Sequence, residues 1–404
     1  MAAKVESCYV CPRNSSILFD RCPCKGRLTH IKKESKVTPR GSYSPPFFEN
    51  HMRILVTGAT GLLGNTIVRE LAEQSYTPIA LVRQTPDPEV FEGIKTESGS
   101  VETVHAEFTP AEQHDDGSLE KSSAGYLEQV IESCDAVIHC AAMIHLGWQK
   151  MDESMRVNRD GTRRIANACL KYQKKLLFIG TVNSIALGSP NTEADENTPL
   201  GHAGGQIPCA YVASKKAALA EVERAVASGL NATVLHPGFM LGPWDWKPSS
   251  GRMLLELGKG WKAVAPRGGC SVCDSRDVAK GVVAAIDYRC EPGRQFILAG
   301  HNWTYRQLWT EMAKRMGSRP PVQTLGPGVE YLAGAVGDLW TKISGRETDV
   351  NSAQVAMSGQ FHWYDSGRAI RELNYNIRDA DETLDTAAQW IRDRFVLSPT
   401  ADNR

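Results

Sequence analysis

Residues 54–64 read Ile-Leu-Val-Thr-Gly-Ala-Thr-Gly-Leu-Leu-Gly, an apolar run that breaks into three glycines at positions 58, 61 and 64. Such a run reads as a strand that stops in a tight turn and leads into a helix. Glycine permits the backbone angles of the turn and leaves room for a phosphate to approach the bare chain. The helix that follows begins with unpaired N–H groups and the positive end of its dipole, a suitable seat for a pyrophosphate. Downstream, Tyr211-Val-Ala-Ser-Lys215 sets a phenol and an ammonium four residues apart, on one helix face. The glycine turn predicts a bound dinucleotide, and the second motif can move a proton. Together they point to nicotinamide-dependent chemistry.

The 404 residues carry 46 basic and 46 acidic side chains. That length suffices for one large or two modest domains. Zero net charge gives no reason to expect nucleic acid or an acidic membrane surface as partner, so a small-molecule substrate is expected. Apolar stretches such as 281–286 are too short to span a bilayer. The eleven cysteines are mostly scattered singly, as at Cys140, Cys169 and Cys209, which fits reduced thiols in a cytoplasmic protein. Residues 1–51 are rich in Lys, Arg, Ser and Pro and lack apolar periodicity. They read as disordered, or as lying ahead of a true start at Met52. Cys8, Cys11, Cys22 and Cys24 could supply thiolates to zinc, but the second pair is too close for the usual knuckle, and no metal is expected.

From residue 52 onward, strand and helix signals alternate. The expected fold is α/β: a Rossmann-type doubly wound parallel sheet with a small C-terminal substrate-binding subdomain. Strands are expected at 54–57, 78–83, 101–106, 135–140, 175–181 and 231–236. Helices are expected after residue 61 and at 158–171, 210–227, 275–286, 305–316 and 381–394. The dinucleotide-binding domain should cover 52–237. The subdomain should cover 238–396, interleaved with it, and 397–404 should form a tail. Pro, Gly and Trp crowd into 242–251, the look of a loop over a binding site.

These motifs resemble the extended short-chain dehydrogenase/reductases, the NAD-dependent epimerase/dehydratase family, over about residues 52–395. Besides Gly58, Gly61, Gly64 and the Tyr211/Lys215 pair, His139-Cys-Ala-Ala142 resembles the family's His-x-Ala-Ala turn. Val157-Asn158-Arg-Asp-Gly161-Thr162 is similar to its Val-Asn-x-x-Gly-Thr helix. Ser275–Ala279 and the segment from Asp365 to Tyr375 are similar to its C-terminal signatures. The likeness is best to the branch that holds dihydroflavonol 4-reductase and 3β-hydroxysteroid dehydrogenase. It implies that Thr57, Leu62 and Leu63 line the cofactor path, that Glu107 stands where the family offers an Asp to the adenine, and that Ala141, Ala142 and Pro237 border the cofactor.

The second strand ends Leu81-Val82-Arg83. A carboxylate at this point would bind both ribose hydroxyls and repel a 2′-phosphate. Arg83 could instead clamp that phosphate, so NADP is preferred and NAD remains possible. Tyr211 is the expected acid/base, its phenol lowered towards neutrality by the Lys215 ammonium, which also reaches the nicotinamide ribose. The family's third catalytic group is a Ser or Thr past the fifth strand. Ser184 is preferred because Ser-Ile-Ala-Leu-Gly188 reproduces the family's continuation, with Asn183 and Thr181 as alternatives.

Ile144, His145, Trp148, Phe239, Met240, Trp244 and Trp246 are candidate substrate walls, and their aromatic character suits a lipophilic or ring-shaped substrate. Of these, His145, Trp148, Met240 and Trp244 carry the expectation. Asp245 and Lys247 could hold a polar group. Lys247, Arg252, Lys259 and Lys262 would serve a sugar-nucleotide diphosphate in the alternative reading, an epimerase or dehydratase with tightly bound NAD(P). Cys270 and Cys273 read as strand packing. A redox-sensing regulator on the same fold often lacks the Tyr/Lys pair. The small-residue face of the helix from Tyr211 suits a homodimer.

Overall fold

The computed structural model describes residues 52–109, 118–345, 347, 348 and 350–397. Cys8, Cys11, Cys22 and Cys24, with the rest of 1–51, lie outside the described residues. The chain runs through β1 (Arg53–Thr57), α1 (Leu62–Glu73), β2 (Thr77–Val82), β3 (Glu102–His105), α2 (Ser118–Glu132) and β4 (Ala136–His139). Next come α3 (Met151–Ser154), a π-helical turn over Met155–Asp160, α4 (Gly161–Lys171), β5 (Lys175–Ile179), α5 (Ala210–Ala227) and β6 (Ala232–Pro237). The helix expected from 158 thus starts earlier, at Met151, where Lys150 turns the chain with φ 56°.

β1, β2, β3, β4, β5 and β6 form one parallel sheet, whose order places β1 between β2 and β4. Ile54, Leu55 and Val56 are all fully buried because both faces of this sheet are covered. Ile54 and Val56 pack on Ile67, Val68 and Leu71 of α1. Leu55 faces Leu127 and Ile131 of α2 and Ile165 of α4. The order reverses between β1 and β4, and such a crevice at the strands' carboxyl ends is where open α/β sheets bind ligands.

After β6 the chain serves both regions. It forms β7 (Phe239–Leu241), α6 (Arg252–Lys259), β8 (Val264–Ala265), β9 (Gly269–Asp274), α7 (Ser275–Asp287), β10 (Arg294–Leu298), β11 (His301–Thr304) and α8 (Tyr305–Arg315). It ends with β12 (Gln323–Thr324), α9 (Pro327–Ser344), α10 (Ser352–Ser358), β13 (Phe361–His362), α11 (Gly367–Leu373) and α12 (Ala380–Ile391). β10 joins the main sheet beside β6, and Val278 and Val282 of α7 enter the core next to α1. A separate cluster of Leu241, Leu254, Leu257, Leu308, Met312, Leu384 and Ile391 holds the second region. Cys270 faces that cluster and Cys273 faces the core of the main sheet, so the two thiols lie on opposite sides of β9. Among the described residues no helix is long and apolar enough to cross a membrane.

Candidate active site

The glycine turn is shaped by close approach. Gly58 has φ +69°, and a Cβ there would lie 2.8 Å from the amide nitrogen of Ala141. A Cβ on Gly64 would collide with the Gly58 carbonyl. Gly61 caps α1 with no side-chain hydrogen bond, so the amides of Leu62, Leu63 and Gly64 open the helix with no partner of the usual capping kind. These features fit a dinucleotide pyrophosphate, because a helix start with uncapped backbone donors, approached by bare glycine backbone, is a ready seat for an anion. Arg83 lies exposed one residue past β2, and Glu107 exposed two residues past β3. Pro237 ends β6 and is buried.

Beneath the turn, Thr57 Oγ1 accepts the Ala141 N–H at 3.1 Å and lies 2.7 Å from His139 Nδ1. The Thr57 hydroxyl then donates to Nδ1, which leaves the Nε2 proton for Thr162 Oγ1 at 3.0 Å. Burial pushes His139 down to about 3, so it is a neutral strut between β1, β4 and α4. Ala141 is partly exposed and Ala142 exposed at the crevice. Asn158, buried in the π-helical turn, accepts from the Met143 N–H and donates to the Met143 carbonyl and Ser214 Oγ, at 2.7–2.9 Å. It ties the loop after β4 to α5. The motif around Asn158 was visible in the sequence, but this linking role was not.

The first turn of α5 is held by that loop: the Tyr211 N–H donates to the His145 carbonyl and the Ala210 N–H to that of Gly147. Burial pushes the pKa of the Tyr211 phenol above the ordinary value, and Thr181 beside it opposes that rise. The lowering expected from Lys215 is not what the structure gives. Lys215 Nζ donates to the Ile179 carbonyl at 2.7 Å and lies 4.6 Å from the Phe178 ring centroid, and its own burial draws it down to about 8. Of the three candidates past β5, Thr181 is the one that acts on the phenol. Its hydroxyl also accepts the Asn183 N–H at 3.2 Å. Ser184 is buried, and its hydroxyl donates to the Thr181 carbonyl at 2.7 Å. That carbonyl also lies 3.2 Å from Nδ1 of His236.

On the substrate side, Tyr211, Leu146 and Ile207 pack against a buried cluster of Cys209, Val212, Ala353 and Met357. Glu347, which no sequence signal singles out, clamps the loop after β4: its carboxylate accepts from the Trp148 N–H at 2.8 Å and pairs with His145 Nε2 at 2.6 Å. Trp148 Nε1 donates to Ser352 Oγ at 2.8 Å. Met240, in β7, packs against the core of the main sheet. Trp244 carries the Arg69 guanidinium 4.5 Å from its ring centroid, and Trp246 stands edge-on to Trp390. The buried Asp245 carboxylate accepts from the N–H groups of Ser249 and Gly251, so it braces its own loop. Lys259 and Lys262 pair with Glu256. Among the described residues no group of three or more metal-ligating side chains gathers.

A model of the NAD dependent epimerase/dehydratase family matches residues 54–299, which spans the glycine turn, Tyr211 and Lys215. The chain belongs to that family. As a member of it, the protein is an NAD(P)-dependent enzyme of the oxidoreductase type. This epimerase/dehydratase-family chain is 27% identical over 345 residues, 83% of its length and 94% of the relative's, to a Synechocystis sp. protein provisionally named a dihydroflavonol 4-reductase. It is 22% identical to sterol demethylase protein B of Methylococcus capsulatus, over 86% of its own length and all of the relative. The crystal structure of gox2253 superposes with a TM-score of 0.70 at 27% identity, covering 85% of this chain and 98% of that one.

Proposed function

We propose that the protein is an NADP(H)-dependent oxidoreductase that interconverts a carbonyl and an alcohol on a lipophilic or ring-containing small molecule. The feature that carries this reading is Tyr211 in the first turn of α5, with Thr181 the side chain that acts on its buried phenol and Lys215 one helical turn along. The dinucleotide, when bound, supplies or takes up the hydride. Tyr211, kept protonated at neutral pH by its burial, donates its proton to the substrate oxygen in reduction and recovers it in oxidation. Thr181 orients the phenol and donates to the oxygen as negative charge develops there, the task first sought at Ser184. Lys215, anchored through one N–H to Ile179, keeps two donors for the nicotinamide ribose.

Arg83 supports NADP over NAD, because a guanidinium suits a 2′-phosphate where a carboxylate would select the free hydroxyl. The apolar cluster containing Met357, against which Tyr211, Leu146 and Ile207 pack, supports a lipophilic substrate, as do the flavonoid and sterol names of two relatives. The pairing of Lys259 and Lys262 with Glu256 weighs against a diphosphate there. The test follows NADPH absorbance as the purified chain meets a panel of lipophilic ketones and a panel of nucleotide sugars. Stoichiometric loss with a ketone is expected, and Tyr211→Phe should lower kcat by about 10²–10⁴ with NADPH affinity retained. Isomerisation of a nucleotide sugar with no net absorbance change would overturn the reading.

A further inference from the structure

Residues 143–149, between β4 and α3, form no helix or strand, yet they support the first turn of α5. The Ala210 and Tyr211 amides are helix-start donors with no partner inside their own helix. The carbonyls of Gly147 and His145 take them, at 2.9 and 3.0 Å. Asn158 fastens one end of this loop, at Met143. At the other end Trp148 and Gln149 are exposed, so His145 and Gly147 need a second anchor to stay in place.

Glu347 is that anchor. Its side chain is 8% exposed, so its carboxylate must find donors inside the protein. Three of them lie within residues 145–149: the Trp148 N–H at 2.8 Å, the Gln149 N–H at 3.3 Å and His145 Nε2 at 2.6 Å. A carboxylate only accepts, so Nε2 carries the proton. Gly147 makes room, because a Cβ there would collide with the Glu347 carboxylate. Gly147 has no positive φ, so a methyl would meet the carboxylate without needing an unusual backbone. The chain on the Glu347 side is itself braced. Gly345 ends α9 with φ 68°, the Thr348 carbonyl accepts from Asn351 Nδ2 at 3.1 Å, and the Ser352 N–H donates to Asp338 of α9 at 3.0 Å. Trp148 Nε1 adds a further tie, to Ser352 Oγ at 2.8 Å.

We propose that Glu347 is a positioning residue for Tyr211. Through the carbonyls of His145 and Gly147 it sets where the first turn of α5 stands, and the phenol with it. The part it plays in turnover rests on the reductase reading, and its hold on α5 does not. An error of about 1 Å in placing a reacting group can cost about a hundredfold in rate. A change at Glu347 should therefore reach kcat while the dinucleotide, seated at the glycine turn, keeps its affinity.

Amide exchange and steady-state kinetics of the full chain test this. Glu347→Ala should speed exchange at Ala210 and Tyr211 at least about tenfold and leave Val222, deeper in α5, unchanged. It should lower kcat for a lipophilic ketone about ten- to a hundredfold, with NADPH affinity within about twofold of the parent's. Glu347→Gln keeps one oxygen for the Trp148 N–H, and its amide can donate to His145 Nε2 once the ring proton moves to Nδ1, so it should recover most of the loss. Gly147→Ala should reproduce the loss seen in Glu347→Ala. The two together should cost no more than either alone, because the added methyl then has no carboxylate to meet. Unchanged exchange at Ala210 and Tyr211 in Glu347→Ala overturns the proposal. So do faster exchange with kcat unchanged, additive losses in the double variant, and exchange that rises alike at Val222, which marks a general loss of stability. If the unaltered chain reduces no ketone while Glu347→Ala still loosens Ala210 and Tyr211, the reductase reading falls and the hold on α5 stands.

Discussion

Glycine brings backbone close to backbone at several places in this molecule, and two of them have different results. At Gly58 and Gly64 the approach of β1, α1 and the Ala141 amide leaves a cleft of open N–H donors. At Gly334 and Gly337 the approach of α9 to residues 350–352 borders a cleft lined by side chains such as Glu330, Asp338 and Ser352, and the helix presents an apolar face outward. In the first region the spacing of the glycines answers to a ligand and to a positive φ. In the second it answers to a neighbouring backbone, and the opposite side of the helix is left for something else to cover. A glycine therefore identifies a binding turn only together with what the approach exposes.

The comparison breaks most readily at Gly58. Gly58→Ala must hold a left-handed φ at about 1–2 kcal/mol and press a methyl on the Ala141 backbone at about 1–3 kcal/mol. Denaturant unfolding should show a loss of about 2–5 kcal/mol, and NADPH titration an affinity lowered by more than about tenfold. Retained affinity would mean that the turn is not the cofactor's seat.

The next effect separates two hydroxyls three residues apart. Thr181→Ala should lower kcat about a hundredfold, as loss of a donor at the reacting oxygen does. Ser184→Ala removes a hydroxyl that donates to the Thr181 carbonyl and should cost about 1 kcal/mol of stability with kcat near that of the parent. The reverse order would return the catalytic task to Ser184. The pH profile gives a gentler effect. Lys215 is drawn down to about 8 by burial, so its ammonium persists below that pH and is lost above it, while the raised phenol of Tyr211 stays protonated. Reduction should therefore run level through neutral pH and fall above about 8, and Lys215→Met should remove that break.

Much of the first region is legible in the sequence because backbone geometry sets it. The glycine triplet, the apolar runs of β1 and β4 and the Tyr211/Lys215 spacing each follow from one local rule, and β1 to β6, α1 and α5 fall where those rules put them, whereas α2 and β10 were not expected. The choice among Thr181, Asn183 and Ser184 was not legible, because three polar residues around one turn differ only in where each hydroxyl or amide points. The second region misleads for a physical reason. Trp244, Trp246 and Asp245 have the composition of a pocket, yet they hold a loop together through Arg69, Trp390 and their own backbone. Helix α9 escapes notice because glycine interrupts it and its apolar period marks the outside. Glu347 gives no signal, since its worth lies in reaching His145 and Trp148, about two hundred residues away in the chain.

The smallest expected effect tests whether the outer face of α9 is uncovered in the folded chain. Leu339 is 57% exposed, whereas Leu71 of α1 is fully buried. Removing a side chain like Leu71 costs about 2–5 kcal/mol, since transfer energy and a cavity are both lost. Leu339→Ser deletes a side chain that supports no neighbour, so its unfolding free energy in dilute solution should stay within about 0.5 kcal/mol of the parent's. The midpoint should also be independent of protein concentration, because a face buried between copies would make it rise with concentration. A loss comparable to that of a core leucine would mean that the face is already covered in the monomer, and the contrast between the two regions would fall with it.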